Sequence, residues 1–574
     1  MTDVSTPGSK ETVDAARIKW RWPSGLTLSV MLISVLVALP IVAVVVNIFA
    51  PSEGLWVNLV RTVLPTYLIN TVILMVGVGV FVTMIGTGAA WLVTMCRFPG
   101  RGVVEWALVL PFAVPAYVLA YVYTDLMEYA GPIQTWLREL FEWGRRDYWF
   151  PNIRSLPGAI AMLAMVLYPY VYLLARTAFL NQSAAALEVS RALGYGPWRS
   201  FWKVALRMGR PGIVAGLALA LMETLADFGT VDFFGVQTFT TGIYRTWFLK
   251  GSPVVAAQLA SCLLVFVMAV MLAERLSRGD ARYHGSGGRF TPLPSYALKG
   301  PRAWLALALC VLPVLCGFLV PGAILLEMAI QDGDPLFDSR FLRYAFSSIS
   351  VAAMASILAV AAAVILGYGT RLNPSPLARL ATRVASMGYA IPGSVIAVGI
   401  LIPFGLFDNW LDGLTREYLG VSVGLVLTGG IVGLLFAYVV RFLAVAFNAV
   451  EAGLTKITPS MDGAARSLGH GPIATLVKIH VPLLRASLLT GILLVFVDVM
   501  KELPATLIVR PFNFETLATR VYRLASDERL SEASTAALAI VVAGVLPVIL
   551  LSWQISRSRP GMQADVSRAS KSRS

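Results

Sequence analysis

Apolar runs long enough to cross a bilayer recur along the whole chain. Each holds roughly 20 residues or more, the length a helix needs to cover a hydrocarbon core of about 30 Å. Inside such a core every backbone amide must be bonded within its own segment, which leaves helices as the available structure. The 574 residues are 57% hydrophobic and only 14% charged, with mean hydropathy +0.74. Soluble domains carry more charge and shorter apolar runs. The chain is expected to be an all-α polytopic membrane protein. Its formal charge of +14 then reads as basic residues at helix ends facing lipid headgroups. The partner this implies is a bilayer and not nucleic acid.

Spans are expected near 26–50, 67–95, 103–125, 157–180, 211–234, 254–274, 303–328, 345–370, 380–405, 420–446, 484–508 and 535–554. The first is too long for a signal-peptide core and reads as an uncleaved anchor. Cys96, Cys262, Cys310 and Cys316 fall in or beside these runs, as packed thiols do. His284, His470 and His480 are scattered through polar segments, and no metal site is expected from them. No GxxxxGK[ST] loop occurs, so the chain does not bind ATP by that route. No cofactor of its own is expected.

Loop charge sets the orientation. The segment "RFPGR" (97–101), the linker 276–302 and the tail 557–574 are basic, whereas "QDGDPLFDS" (331–339) and "FDNWLDG" (407–413) are acidic. Both termini are expected in the cytoplasm. One loop, 127–156, dissents: it should be periplasmic yet carries Arg138, Arg145, Arg146 and Arg154. Long loops obey the charge rule poorly.

The linker divides the spans six and six. A tail (1–25) precedes a first half (26–275), and a second half (303–556) follows the linker. Three segments repeat in order. "LPFAVPAYV" (110–118) resembles "MGYAIPGSV" (387–395), "EVSRALGYGP" (188–197) resembles "GAARSLGHGP" (463–472), and "TGIYR" (241–245) resembles "TRVYR" (519–523). An even number of spans per half makes the halves parallel, related by an axis along the membrane normal. Pro111, Pro115, Pro392 and Pro403 interrupt spans, and each removes a backbone donor and invites a kink.

The repeated loop occupies 188–207 in the first half and 462–482 in the second. The second copy reads as an Ala-rich turn of helix, Gly469, nine residues, then Ile479-x-Val481-Pro482. A glycine there permits the positive φ that ends a helix cleanly. A short amphipathic helix exposed beyond the bilayer needs a partner groove. This pattern resembles the EAA loop of ABC importer permeases, EAA-x3-G-x9-I-x-LP. Glu188, Arg191 and Gly194 fit it in the first half, where Arg207 stands in the usual proline position. In the second half Asp462, Arg466, Gly469 and Pro482 carry it, with Gly463 in the glutamate position. With "ETLADFGTV" after the first loop and "KELPATLIVRPFNFETLATRVY" after the second, the chain resembles the fused ferric-iron ABC importer permeases.

The resemblance implies about twelve transmembrane helices, arranged as two parallel six-helix repeats of the type I importer (MetI-like) fold. It implies docking of both loops on two copies of a cytoplasmic ABC ATPase, which would hold ATP and magnesium. It also implies a periplasmic Fe(III)-binding protein, a location in the bacterial inner membrane, and a transport role without catalysis by this chain. Fused permeases for thiamine, phosphonate or polyamine would share these loops. An ion-coupled secondary transporter could share the span count, though not the paired loops.

Four acids lie within the apolar runs. Gly216, Ala220, Glu223, Asp227 and Thr230 are spaced 4, 3, 4, 3, as are Gly491, Val495, Asp498, Glu502 and Ala505. On a continuous helix each set forms one small, polar face. Counted from the loop glycines, Glu223 matches Asp498 and Asp227 matches Glu502. An ionised carboxylate at the bilayer centre costs roughly 2.5–3.5 kcal/mol, so four facing lipid would cost on the order of 10 kcal/mol. They are expected to face the bundle interior. Two roles are open there: lining a cation path, or internal glue, with Lys501 close enough in sequence to neutralise Asp498.

Overall fold

The computed structural model describes residues 25–52, 54–180, 189–190, 192–278, 296–331 and 338–557. Both outer tails, most of the linker, Glu188 and Arg191 lie outside them. Among the described residues the main helices fall into two runs of corresponding order, apart from α5 in the first and α16 in the second. The first comprises α1 (Gly25–Val46), α2 (Leu64–Met95), α3 (Arg101–Ala107), α4 (Ala116–Met127), α5 (Pro132–Phe141), α6 (Leu156–Leu180), α7 (Leu206–Ala226), α8 (Gly229–Phe233), α9 (Phe239–Phe248) and α10 (Pro253–Arg278). The second comprises α11 (Pro301–Gln331), α12 (Ser339–Leu372), α13 (Pro376–Ala385), α14 (Gly393–Leu419), α15 (Ile431–Leu454), α16 (Pro459–Ser467), α17 (Val481–Met500), α18 (Pro504–Val509), α19 (Leu517–Ser526) and α20 (Leu530–Arg557).

Among the described residues ten helices are long and apolar enough to cross a membrane. The two remaining expected spans are a bent pair and a shorter apolar helix. Arg101–Ala113 and Ala116–Phe141 meet at 92°, and Leu530–Val545 is the short one. Pro115 is extended (φ −62°, ψ 139°) just before α4, and Pro392 (φ −56°, ψ 141°) stands just before α14. Without N–H groups these prolines start helices cleanly, which is why the chain breaks there in both halves. Pro111 lies in a 3-10 turn, whereas Pro403 is inside α14.

In each half three helices pack against one another, α2 with α6 and α7, and α12 with α15 and α17. The halves are interleaved. The first helix, α1, packs on α12, α13 and α14 of the second half, and α11 packs on α3 of the first. Glycines permit these crossings: a Cβ on Gly399 would lie 2.3 Å from the Pro40 carbonyl oxygen, and one on Gly317 2.9 Å from Pro111 Cβ. Small residues let helices approach in lipid, where the hydrophobic effect does not drive association. A two-residue parallel pairing, Cys96–Arg97 with Tyr296–Ala297, ties the end of the linker to the end of α2.

Candidate functional site

The helical faces inferred for the four acids stop short of their last members. α7 ends at Ala226, and Asp227 is extended (ψ 133°). Its carboxylate accepts from the amides of Thr230 (3.1 Å) and Val231 (3.2 Å) and from the Thr230 hydroxyl (3.0 Å). Asp227 therefore closes one helix and caps the next, α8. Glu502 does the same after α17. Its carboxylate accepts from the amides of Ala505 (2.9 Å) and Thr506 (3.0 Å) and from the Thr506 hydroxyl (2.6 Å), at the start of α18. Each acid satisfies amides that a helix start would leave without acceptors. The signal was present in the sequence: Gly229 follows Asp227, Pro504 follows Glu502, and both residue types punctuate helices.

The break turns both acids into a shared space. One cavity of about 110 Å³ between the halves is lined by Glu223, Asp227, Asp498 and Glu502 together with Arg441 and Lys501. Lys501 Nζ lies 3.0 Å from Asp498 Oδ1 and 4.1 Å from the centre of the Phe112 ring. Arg441, on α15, is buried, with Nη1 3.9 Å from Glu502 Oε1. Glu223 is half-buried and makes no hydrogen bond or ion pair among the described residues. Counted from the loop glycines, Val166 stands where the second half has Arg441, and Ala226 where it has Lys501. Both bases thus belong to one half. Four carboxylates against two bases leave the cavity with two formal negative charges in excess. Among the described residues no three His, Cys, Asp or Glu side chains group to hold a metal.

Cross-half contacts bound the cavity along its axis. Toward the repeated loops, the Tyr170 hydroxyl of α6 lies 2.8 Å from that of Tyr389, just before α14. Toward the far end, Phe228 packs on Tyr244 and Tyr522, with ring centres 4.6 and 5.7 Å apart. The Tyr522 hydroxyl donates to Asp232 at 2.8 Å. Tyr244 and Tyr522 are the tyrosines of "TGIYR" and "TRVYR". Sequence reading found that repeat without a role for it, and missed Arg441, Tyr170, Tyr389 and Asp232. Arg441 had a signal, since a charge inside an apolar run marks an interior face.

In the loops, Gly194 (φ +76°) and Gly469 (φ +79°) are left-handed. A Cβ at either would meet nothing within 4 Å, so conformation and not space requires glycine. Pro482 opens the first turn of α17. Arg466 is exposed, its Nε 3.3 Å from the Asp462 carbonyl oxygen. The Asp462 side chain points back to the bundle, where Arg371 Nη2 donates to Oδ2 at 2.8 Å.

Two parallel sets of membrane helices, interleaved around one charged cavity and each joined by a Gly-broken loop, define a polytopic transport permease. The family model for the binding-protein-dependent transport system inner membrane component matches twice, over residues 83–278 and 359–563. The chain belongs to that family, and is the permease subunit of an ABC importer. It is similar to the Fe(3+)-transport system permease protein FbpB 2 of Haemophilus influenzae, 26% identical over 92% of this chain and 98% of that one. The putative ferric transport system permease protein FbpB 1 of the same organism is 22% identical over 86% of this chain and 78% of its own length. The molybdenum transport system permease protein ModB of Escherichia coli K12 is 28% identical over 33% of this chain and 82% of its own. It matches about one half here.

Proposed function

We propose that the chain passes Fe(III), delivered by a periplasmic binding protein, through the cavity between its halves. The observation that carries this reading is the convergence of two acids from each half on one space with excess negative charge. Hard, highly charged cations favour carboxylate oxygen. Relatives named for ferric transport, matched over 98% and 78% of their own lengths, support the same cargo. Asp227 and Glu502 already accept from backbone amides, which leaves fewer lone pairs for a cation and suits transit over retention. Conduction needs a site the ion can leave.

The repeated loops (188–207 and 462–482) are read as facing the cytoplasm, each seating one ATPase subunit that supplies ATP hydrolysis with magnesium. Both termini then lie on that side of the inner membrane. Three of the four arginines of 127–156 are engaged by neighbouring groups, which suits a periplasmic position. Arg154 pairs with Glu128 at 2.8 Å, Arg138 donates to the Tyr129 carbonyl at 2.8 Å, and Arg145 lies over the Tyr129 ring. Uptake of labelled Fe(III) by cells expressing the complete importer, with thiamine, phosphonate or polyamine as competitors, tests the cargo. Fe(III) uptake insensitive to all three is expected. Uptake of a competitor in place of iron would overturn the assignment.

A further inference from the structure

The second loop is fastened to the bundle by a cluster of charged and aromatic side chains. Asp462 sits in the first turn of α16. Its Oδ2 accepts from both Nε (3.1 Å) and Nη2 (2.8 Å) of Arg371, near the end of α12. Arg371 also donates to the carbonyls of Leu454 (3.0 Å) and Ile457 (2.8 Å), where α15 ends. Those carbonyls belong to a helix C-terminus, which a guanidinium complements. The other oxygen of Asp462 lies 2.8 Å from Nε2 of His480, which is fully buried at the start of α17. The His480 ring meets Tyr368 edge to face, 5.2 Å between centres. The Tyr368 hydroxyl donates to the Pro472 carbonyl at 2.9 Å, just past the glycine break. Arg371 thereby ties α12 and the end of α15 to the Asp462 carboxylate of α16, and the buried His480 packs against the same carboxylate without an aligned hydrogen bond.

Counted from the loop glycines, Ala205 stands where the second half has His480, and Leu187 where it has Asp462. By the same count the end of α2 reads Met95-Cys96-Arg97 where α12 reads Thr370-Arg371-Leu372. No charged residue or histidine stands at the three equivalent positions, Cys96, Leu187 and Ala205, and the neighbouring Arg97 is exposed.

We propose that Arg371 is a positioning residue that, through Asp462, makes the second coupling helix a rigid extension of α12 and α15. The second coupling helix then moves with the bundle as one body. The inference rests on the reading of the loops as ATPase docking sites. Asp462 serves it by facing inward, which leaves the opposite face of α16, with the exposed Ser460 and Ala464, for the partner.

The test uses the full importer, co-expressed with its ATPase and binding protein. Iron uptake and ATP hydrolysis are measured on the same preparations of wild type, Arg371→Gln and Asp462→Asn. Both variants are expected to retain the ATPase and hydrolyse ATP near the wild-type rate, while uptake per ATP falls by about tenfold. Arg371→Lys keeps one charged donor for Asp462 and should recover part of that ratio. A merely structural role would lower uptake and hydrolysis together, and an unchanged ratio in all variants would overturn the inference. If Arg371→Gln yields no complex, Arg371→Lys and Asp462→Asn decide by the same ratio. A wild-type chain that captures no ATPase would instead overturn the reading beneath it.

Discussion

The hydroxyls of Tyr170 and Tyr389 meet at 2.8 Å across the two halves, on the side of the cavity nearer the repeated loops. On the other side Tyr522 reaches across to Asp232 at the same distance. One acid-lined space is held between two cross-half hydrogen bonds, worth about 1 kcal/mol net for the tyrosine pair and about 1.5–3 kcal/mol for the bond to the Asp232 carboxylate. Contacts of that size can be exchanged by a transport cycle without unfolding the bundle.

Removing both hydroxyls of the first pair (Tyr170→Phe with Tyr389→Phe) deletes that bond without leaving a lone donor. The cavity is then expected to open more often toward the loops. A cysteine placed in its wall by Val166→Cys should react severalfold faster with a polar maleimide added from that side, located by mass spectrometry. Unchanged labelling would show that the pair is no barrier.

Gly393 faces the ion pair of the second half. A Cβ there would lie 2.4 Å from Arg441 Nη1 and 2.6 Å from Glu502 Oε1. Gly393→Ala should push the two apart at a cost of about 1–3 kcal/mol. A lower melting temperature of the purified chain, with slower uptake, is the expected result. A melting temperature equal to wild type would mean that the pair relaxes freely.

At Gly469 nothing lies within 4 Å of a built Cβ, so a substitution acts through φ alone. Gly469→Val forces a β-branched residue into a left-handed conformation, a strain of roughly 1–2 kcal/mol. The variant should insert in the membrane yet lose ATPase on purification. Gly469→Asn should retain it, because asparagine tolerates this region. Equal retention by both variants would contradict a role for the left-handed turn.

The reach of the sequence can be judged at particular residues. Both loop glycines are left-handed as expected, because glycine at a helix end has one strong physical reason. The register of the repeat brought all four acids to one cavity. It also tied Lys501 to Asp498, three residues away. The break at Asp227 was lost because hydropathy averages over a window, whereas a cap depends on two or three residues. Arg441 belongs to no repeat, since its counterpart is Val166, and so no pattern drew attention to it. The packing of α1 onto the second half follows from contacts hundreds of residues apart, which no local periodicity encodes. The loop pattern places Asp462 among the coupling residues without giving its direction, and its side chain turns inward because Arg371 comes from a helix 91 positions earlier.

Each half carries one coupling loop, so one copy of this chain should suffice for two ATPase subunits. Native mass measurement of the intact importer is expected to give one permease and two ATPases. Two permease chains per particle would contradict the proposed assembly.

Glu223 and Asp498, the two acids that cap no helix, are expected to serve the path and not the fold. Glu223→Gln and Asp498→Asn preserve size and most hydrogen bonding while removing charge. Uptake of labelled Fe(III) by the complete importer carrying both changes, with inserted chain, bound ATPase and ATP hydrolysis measured alongside, tests it most directly. The account expects those three to stay near wild type and iron uptake to fall by about tenfold or more. Wild-type uptake by the variant with all four acids neutralised (Glu223→Gln, Asp227→Asn, Asp498→Asn and Glu502→Gln) would contradict it.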